Sequence, residues 1–472
     1  MEYTPWSLLS DAGLIAALLV VGTLARAHLR VVQRLMLPAS VLAGFLGLLL
    51  GPNALDLLPF SDQLGTYSSV LIVVVFACLA MTDGAGIRNF GKATGAFSLY
   101  SIGMYVIQVG LGVLFALLVL GPVWGTPAGF GVLLFGGWAG GFGSAAAMGA
   151  TFEDSGWHEA SSLGFTSATV GTLVGIVGGV IINNWAARRG HCRRVGRFAD
   201  LPEELRSGLL KDPDERTPTG TATTSPASIE PFALQLCVVS AVAAAAYGIS
   251  EWVTALFPSL TVPVFALAFV VGLLVRMLVG RTPAWGYVDS RTLKSVSGGA
   301  TDVLIVCGIA SIVPSVVGDY WVPLAALFVL GLALCLVLFL VVAPATFRED
   351  WFEKAVFTWG WATGAVATGI ALLRMTDPKL ESRTLEEFGL AYLPLAPIET
   401  ASVTFAPVMV TAGATWALGT GWTVVGLIAL GLPILMGQRA RRSGPEATGG
   451  PERRTAVSPA STTSTTSTTE GK

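Results

Sequence analysis

The sequence has little charge. Asp, Glu, Lys and Arg make up only 12% of its 472 residues, about half of the roughly 25% typical of soluble domains. Hydrophobic residues reach 53%, which excludes an ordinary water-soluble globular protein. The formal net charge of -2 offers no basic surface for a polyanion, so no nucleic-acid partner is expected.

Cysteine and histidine are scarce and scattered. The chain has five cysteines and three histidines, without CxxC or His-paired spacing. These residues are Cys78, Cys192, Cys237, Cys307, Cys335, His28, His158 and His191. The pattern gives little support to a metal site, and no organic cofactor is expected. An intramembrane enzyme is disfavoured because no His lies within an apolar span and no GxGD motif is present.

The sequence contains long apolar blocks. Most are about 17 to 25 residues long, which is enough for a helix to cross a bilayer. They fall at 8–25, 36–51, 67–83, 95–121, 129–150, 161–185, 232–250, 262–280, 299–317, 321–343, 355–373, 389–412 and 421–437. The glycine-rich blocks 129–150 and 355–373 are predicted to be broken or re-entrant segments, and the others full crossings of a lipid bilayer.

Basic residues gather in alternate loops, as the positive-inside rule requires of cytoplasmic loops. They are Arg26, Arg30, Arg34, Arg88, Lys92, Arg188, Arg189, Arg193, Arg194, Arg197, Arg276, Arg281, Arg291, Lys294, Arg348, Lys354, Arg439, Arg441 and Arg442. The pattern predicts a multi-pass inner (plasma) membrane protein. Its N-terminus is outside, and its central linker and C-terminal tail are cytoplasmic.

The chain divides into two similar halves. Residues 35–49 (LMLPASVLAGFLGLL) match residues 260–274 (LTVPVFALAFVVGLL) at seven of fifteen positions. SVLIV (69–73) then matches DVLIV (302–306), and a glycine-rich segment follows in each half. Since each unit has five crossings, an odd number, the second unit is inverted relative to the first.

The predicted fold is therefore an all-α polytopic membrane protein with two inverted five-helix repeats, each containing a glycine-rich re-entrant or broken segment. Its predicted divisions are residues 1–189 (first repeat), 190–230 (polar linker), 231–415 (second repeat), 416–442 (extra C-terminal helix) and 443–472 (disordered Ser/Thr-rich tail).

The first glycine-rich segment is a candidate anion site. Gly140, Gly141 and Gly143 free backbone N–H groups, and Ser144 adds a hydroxyl donor. Tight helix packing through small residues is the alternative interpretation.

The second segment, residues 358–378, contains Thr363, Gly364 and Thr368 and mirrors the first. Arg374 follows directly and offers a bidentate fork for a substrate carboxylate. It is equally well interpreted as an interfacial positive-inside residue.

Ionisable residues within apolar spans indicate function, because a carboxylate in the bilayer core is costly. Glu399 lies in a span that Pro394 and Pro397 make irregular, and it is predicted to hold a coupling ion together with Thr400 and freed carbonyls. Asp302 is a second ion-coupling candidate, with a helix-boundary role as its alternative.

Four uncharged polar residues also lie within apolar spans. Thr169 and Thr172 are weaker substrate-binding candidates, because membrane threonines usually bond to their own helix. Gln108 and Gln235 are expected to form interhelical hydrogen bonds.

The segment GGFGSAAAMGATFEDSGW, continuing to SATVGTLVGIVGGVI, resembles the glutamate:sodium symporter family, as do LPASVLAG, ATGAVATG and PLAPIET. The chain departs from the family pattern at Phe142, where members carry His, and at Ser144, where Thr is usual. The resemblance implies ten core helices as inverted repeats, two re-entrant loops, sodium-coupled glutamate uptake, and elevator-type movement in a homodimer.

The favoured function is sodium-coupled symport of glutamate or a related carboxylate. Proton coupling is the alternative within the same class. A non-transporting sensor or scaffold, or an intramembrane enzyme, is the alternative from another class.

Overall fold

The computed structural model describes residues 4–35, 37–82, 92–189, 203–256, 264–347, 350–377 and 382–442. Every regular element within these ranges is helical. The predicted disordered tail, the first part of the predicted linker and Pro263 of the repeat lie outside the described residues. So do five of the predicted cytoplasmic basic residues, Arg88, Arg193, Arg194, Arg197 and Arg348.

The α-helices are α1 Pro5–His28, α2 Arg30–Leu35, α3 Ala39–Leu50, α4 Leu64–Met81, α5 Lys92–Phe115, α6 Gly121–Trp124, α7 Val132–Gly137, α8 Gly141–Asp154, α9 Ala160–Arg189, α10 Glu203–Ser207, α11 Pro231–Leu256, α12 Val264–Val279, α13 Ser290–Ala310, α14 Pro314–Asp319, α15 Trp321–Val337, α16 Ala343–Thr346, α17 Trp351–Thr363, α18 Val366–Thr376, α19 Thr384–Thr411 and α20 Thr415–Arg442.

Eight helical stretches among the described residues are long and apolar enough to cross a membrane. They are Pro5–His28, Leu64–Met81, Thr94–Trp124, Ala160–Asn183, Pro231–Leu256, Ser290–Ala310, Trp321–Thr346 and Thr415–Leu435. The helices α3 and α12 are apolar but shorter. Nine of them coincide with predicted apolar blocks, whereas α13 begins nine residues before its predicted block 299–317 and ends at Ala310. The agreement supports the prediction of a polytopic helical membrane protein.

The helices α5 and α15 share an irregularity. Each continues into a π-helical turn, at Ala116–Leu120 and Leu338–Val342. The residue before a proline closes each turn, since Gly121 N–H donates to Ala116 O and Ala343 N–H donates to Leu338 O. A proline ring clashes with the carbonyl four residues earlier, and a wider turn relieves that clash. Two helices from different halves of the chain therefore accommodate a proline with the same type of turn.

Small residues allow the central helices to pack closely. α13 packs on α3 and α4, and α4 packs on α12. A Cβ placed on Gly44 would lie 2.7 Å from Ile309 Cβ, and one on Gly272 would lie 2.7 Å from Ala80 Cβ. Glycine is needed at both positions because a side chain would push the helices apart.

The two glutamines make the expected bonds between helices. Gln108 Nε2 donates to Ala362 O over 3.0 Å, joining α5 to α17. Gln235 Nε2 donates to Tyr287 O over 2.8 Å. The prediction for these residues is confirmed.

A buried ion pair ties α17 to α19. Lys354 Nζ lies 2.9 Å from Glu387 Oε2, with the two side chains only 7% and 25% exposed. Replacing Lys354 with Met is expected to destabilise the protein by about 3 to 5 kcal/mol, because it leaves a buried carboxylate uncompensated. The double variant K354M/E387Q removes both charges and should recover most of the lost thermal midpoint in detergent. Equal midpoints for the single and double variants would show that an unpaired Glu387 carboxylate is not the cause of the loss.

Candidate functional site

Both glycine-rich segments are helices interrupted within an apolar run. α7 ends at Gly137 and α8 begins at Gly141, whose φ of +66° requires a left-handed backbone that favours glycine. α17 ends at Thr363 and α18 begins at Val366, separated by the extended Ala365 (φ -157°, ψ 160°). We call residues 138–141 and 363–365 the first and second breaks.

The two breaks touch each other. A Cβ placed on Gly141 would lie 2.8 Å from Gly364 O. α9 passes beside them, since a Cβ on Gly171 would lie 2.5 Å from Thr363 O and one on Gly364 would lie 3.3 Å from Thr172 Cα. Segments far apart in the sequence thus form one compact site, and glycine permits each of these approaches.

A helix starts directly after each break. Gly140 and Ala365 are the N-cap residues of α8 and α18, and neither has a side chain that accepts a hydrogen bond from the first turn of its helix. The first N–H groups of α8 and α18 have no partner within their own helices, and the helix dipole makes both ends positive. Such ends bind anions, and a carboxylate is an anion of suitable size.

Trp138 of the first break and Ser144 of α8 add hydrogen-bond donors. Trp138 is fully buried, and its indole N–H has no hydrogen-bond partner within the described part of the chain. Its ring lies against α9, with Cδ1 2.8 Å from a Cβ placed on Gly171. Ser144 is also buried, in the first turn of α8. An unpaired indole donor is costly to bury and is available to a ligand.

Three of the four predicted substrate-binding threonines, Thr172, Thr363 and Thr368, lie at or beside the second break. Thr172 faces the second break, and its Oγ1 lies 3.5 Å from a Cβ placed on Gly364. Thr368 presents its methyl group to Gly175. Thr169 and Thr363 donate instead to their own helices, at Phe165 O (2.7 Å) and Trp359 O (2.8 Å). That leaves their oxygen lone pairs as acceptors.

Glu399 lies on α19, which packs on α5 and α8. Tyr392 Oη donates to Glu399 Oε2 over 2.9 Å. The phenol of Tyr105 on α5 is buried near Glu399, and its oxygen has no hydrogen-bond partner among the described residues. Glu399 therefore lies on a helix that packs against α8, with Tyr392 as its hydrogen-bond donor. Thr400, the following residue, is partly exposed.

The prolines of α19 do not interrupt it. The helix is continuous from Thr384 to Thr411 with Pro394, Pro397 and Pro407 inside it. Each proline lacks an N–H, so Pro394 and Pro397 leave the carbonyls of Leu390 and Leu393 without their usual helical donors. The span is thus more regular than predicted, while carbonyls are still freed before Glu399.

Two predicted residues lie away from the breaks. Arg374 is in the last turn of α18, about 12 Å along the helix axis from its start at 1.5 Å per residue. Asp302 is exposed on α13. Sequence reasoning missed Trp138, Tyr105 and Tyr392. Only Tyr392 carried a signal, a spacing of seven residues that places it on the same helical face as Glu399.

A model of the sodium/glutamate symporter family matches residues 8–377. The matched region contains both breaks and α9, and it ends before α19. A comparison with curated proteins finds no match. Because the family model covers most of the chain, and because the helices are those of a multi-pass membrane protein, this chain belongs to the sodium/glutamate symporter family of sodium-coupled glutamate transporters.

Proposed function

We propose that this protein is a secondary active transporter that couples sodium to the symport of glutamate or a related anionic amino acid. The observation that carries the proposal is the contact between Gly141 and Gly364, which brings two positive helix starts together. Discontinuous helices that meet within a bilayer are typical of substrate sites in secondary transporters. The substrate carboxylates bind the N–H groups of these helix starts, with Trp138, Ser144 and Thr172 as additional polar groups.

The coupling ion binds near Glu399. Sodium is co-transported and prefers oxygen ligands, which this region supplies as a carboxylate, the Tyr392 hydroxyl and the carbonyls freed by Pro394 and Pro397. The helix that carries Glu399 packs on α8, whose start forms part of the substrate site. Sodium binding thereby stabilises the substrate-competent arrangement, which is the differential interaction that coupling requires.

Alternating access occurs by an elevator-type movement of inverted repeats in a homodimer. The packing of α7 and α8 with α9, and of α17 with α18 and α9, supports a moving unit. The packing of α13 on α3 and of α4 on α12 supports a separate scaffold. The matched π-helical turns after α5 and α15 support the repeat.

Uptake by proteoliposomes tests the function. Purified protein in vesicles with an inward sodium gradient is expected to accumulate labelled glutamate against its gradient. Accumulation should stop when choline replaces sodium, because the carboxylate of Glu399 then lacks its ion. Accumulation driven by a proton gradient in sodium-free buffer would support the proton-coupled alternative. Protein that is folded but never accumulates any amino acid or dicarboxylate would contradict the proposal.

A further inference from the structure

The helix α13 carries a polar exposed face. Its exposed residues from the start of the helix are Arg291, Lys294, Ser295, Gly298, Gly299 and Asp302. Their spacing of three and four places them on one side of the helix. We call this set the α13 polar face. It extends about 16 Å along the helix at 1.5 Å per residue, reaching well into the membrane-spanning length.

Lipid is an unsuitable neighbour for this face. A Lys or Asp side chain in hydrocarbon costs several kcal/mol, so such residues face a cavity or protein. The exposed face of α15 shows the contrasting pattern, with Val329 66% exposed and Val337 50% exposed. The two helices therefore meet different surroundings.

The structure leaves the first half of α13 open and closes the second half. Near its end, α13 packs against α9, where a Cβ placed on Gly308 would lie 2.4 Å from the Phe165 ring. The helix α8 packs on both α4 and α13. The helix α18 packs on α17 and α9, and Ala365 of the second break is exposed.

The open end of α13 meets the polar linker. Ser295 Oγ donates to Thr219 O over 2.7 Å, and Thr221 N–H donates to Asp289 Oδ2 over 2.8 Å. This linker is rich in Thr and Ser and is suited to water. The polar face therefore begins in an aqueous region and continues along α13 to Asp302.

We propose that the α13 polar face is the scaffold wall of the water-filled cytoplasmic half of the substrate route. This inference rests on the proposed function, because an anionic amino acid in transit is the solute that would pass along the wall. Arg291 and Lys294 place positive charge at the entrance, which raises the local concentration of an anion. The face also gives Asp302 a position beside water, away from the breaks.

Thiol accessibility tests this wall. The background C192A/C237A retains the buried Cys78, Cys307 and Cys335. Gly298→Cys and Gly299→Cys are suitable reporters because a Cβ at either position meets nothing within 4 Å. Val329→Cys is the control on the exposed apolar face of α15. The probe is a charged, membrane-impermeant methanethiosulfonate reagent applied to right-side-out or inside-out vesicles.

Both glycine reporters are expected to react at least about tenfold faster than Val329→Cys, because the reactive thiolate forms in water and not in lipid. The reaction should occur in inside-out vesicles. Rates equal to that of the Val329→Cys control, or spontaneous disulfides joining two copies through these positions, would overturn the inference. The labelling needs no transport, so labelling without uptake would contradict the proposed function alone. Uptake without labelling would contradict only the inference that the α13 polar face lines the substrate route.

Discussion

Proteoliposomes containing Glu399→Gln are expected to lose sodium-driven uptake almost completely, by roughly 100-fold or more. The substitution keeps the shape of the side chain and removes its charge. A site for a cation that loses its carboxylate loses several kcal/mol of binding free energy, and each 1.4 kcal/mol is a factor of ten. Tyr392 Oη, which donates to Glu399 Oε2, retains an amide oxygen as acceptor, so the fold should survive.

Glu251→Gln is the matched control, since Glu251 is exposed near the end of α11. It should take up glutamate as the unmodified protein does. A sodium-dependent thermal shift separates binding from movement. Glu399→Gln should show no shift with sodium, whereas Glu251→Gln should show the full shift. Sodium-dependent uptake by Glu399→Gln at the unmodified rate would remove Glu399 from the coupling mechanism.

Gly141→Ala is the second substitution with a large expected effect. Alanine at φ +66° carries a backbone cost of about 1 to 2 kcal/mol. Its Cβ would also lie 2.8 Å from Gly364 O, closer than real contacts allow, so the breaks must separate. We expect apparent glutamate affinity to fall by at least about tenfold, as 1.4 kcal/mol or more of binding free energy is lost.

Gly156→Ala separates the effect of the contact between the breaks from the cost of placing alanine at positive φ. Gly156 also has positive φ (+96°), but a Cβ there meets nothing within 4 Å. Both variants should lose thermal stability, and only Gly141→Ala should lose glutamate affinity in uptake measured across substrate concentrations. Equal affinities for the two variants would show that contact between the breaks is not needed for binding.

Local features of the sequence predicted the helical membrane class and the two interruptions. A bilayer requires long apolar helices, so block length alone reveals the spans. Clustered glycines weaken helices wherever they occur, so the interruptions at Gly141 and Gly364 could also be predicted from the sequence. The prolines of α19 were a less reliable guide, because a proline removes one helical bond without always ending the helix.

The site depends on contacts that no local pattern contains. Gly141 meets Gly364 only because α7, α8, α17 and α18 pack around α9. Glu399 lies beside the first glycine-rich segment only because α19 packs on α5 and α8. Asp302 had the same sequence signal as Glu399, a carboxylate in an apolar block, yet it lies on the exposed face of α13. The sequence alone thus determined that the protein lies in a lipid bilayer and which segments are helical, because composition and periodicity are local properties of the chain. Tertiary packing decided which charges and backbone ends meet, because that depends on helices distant in the chain.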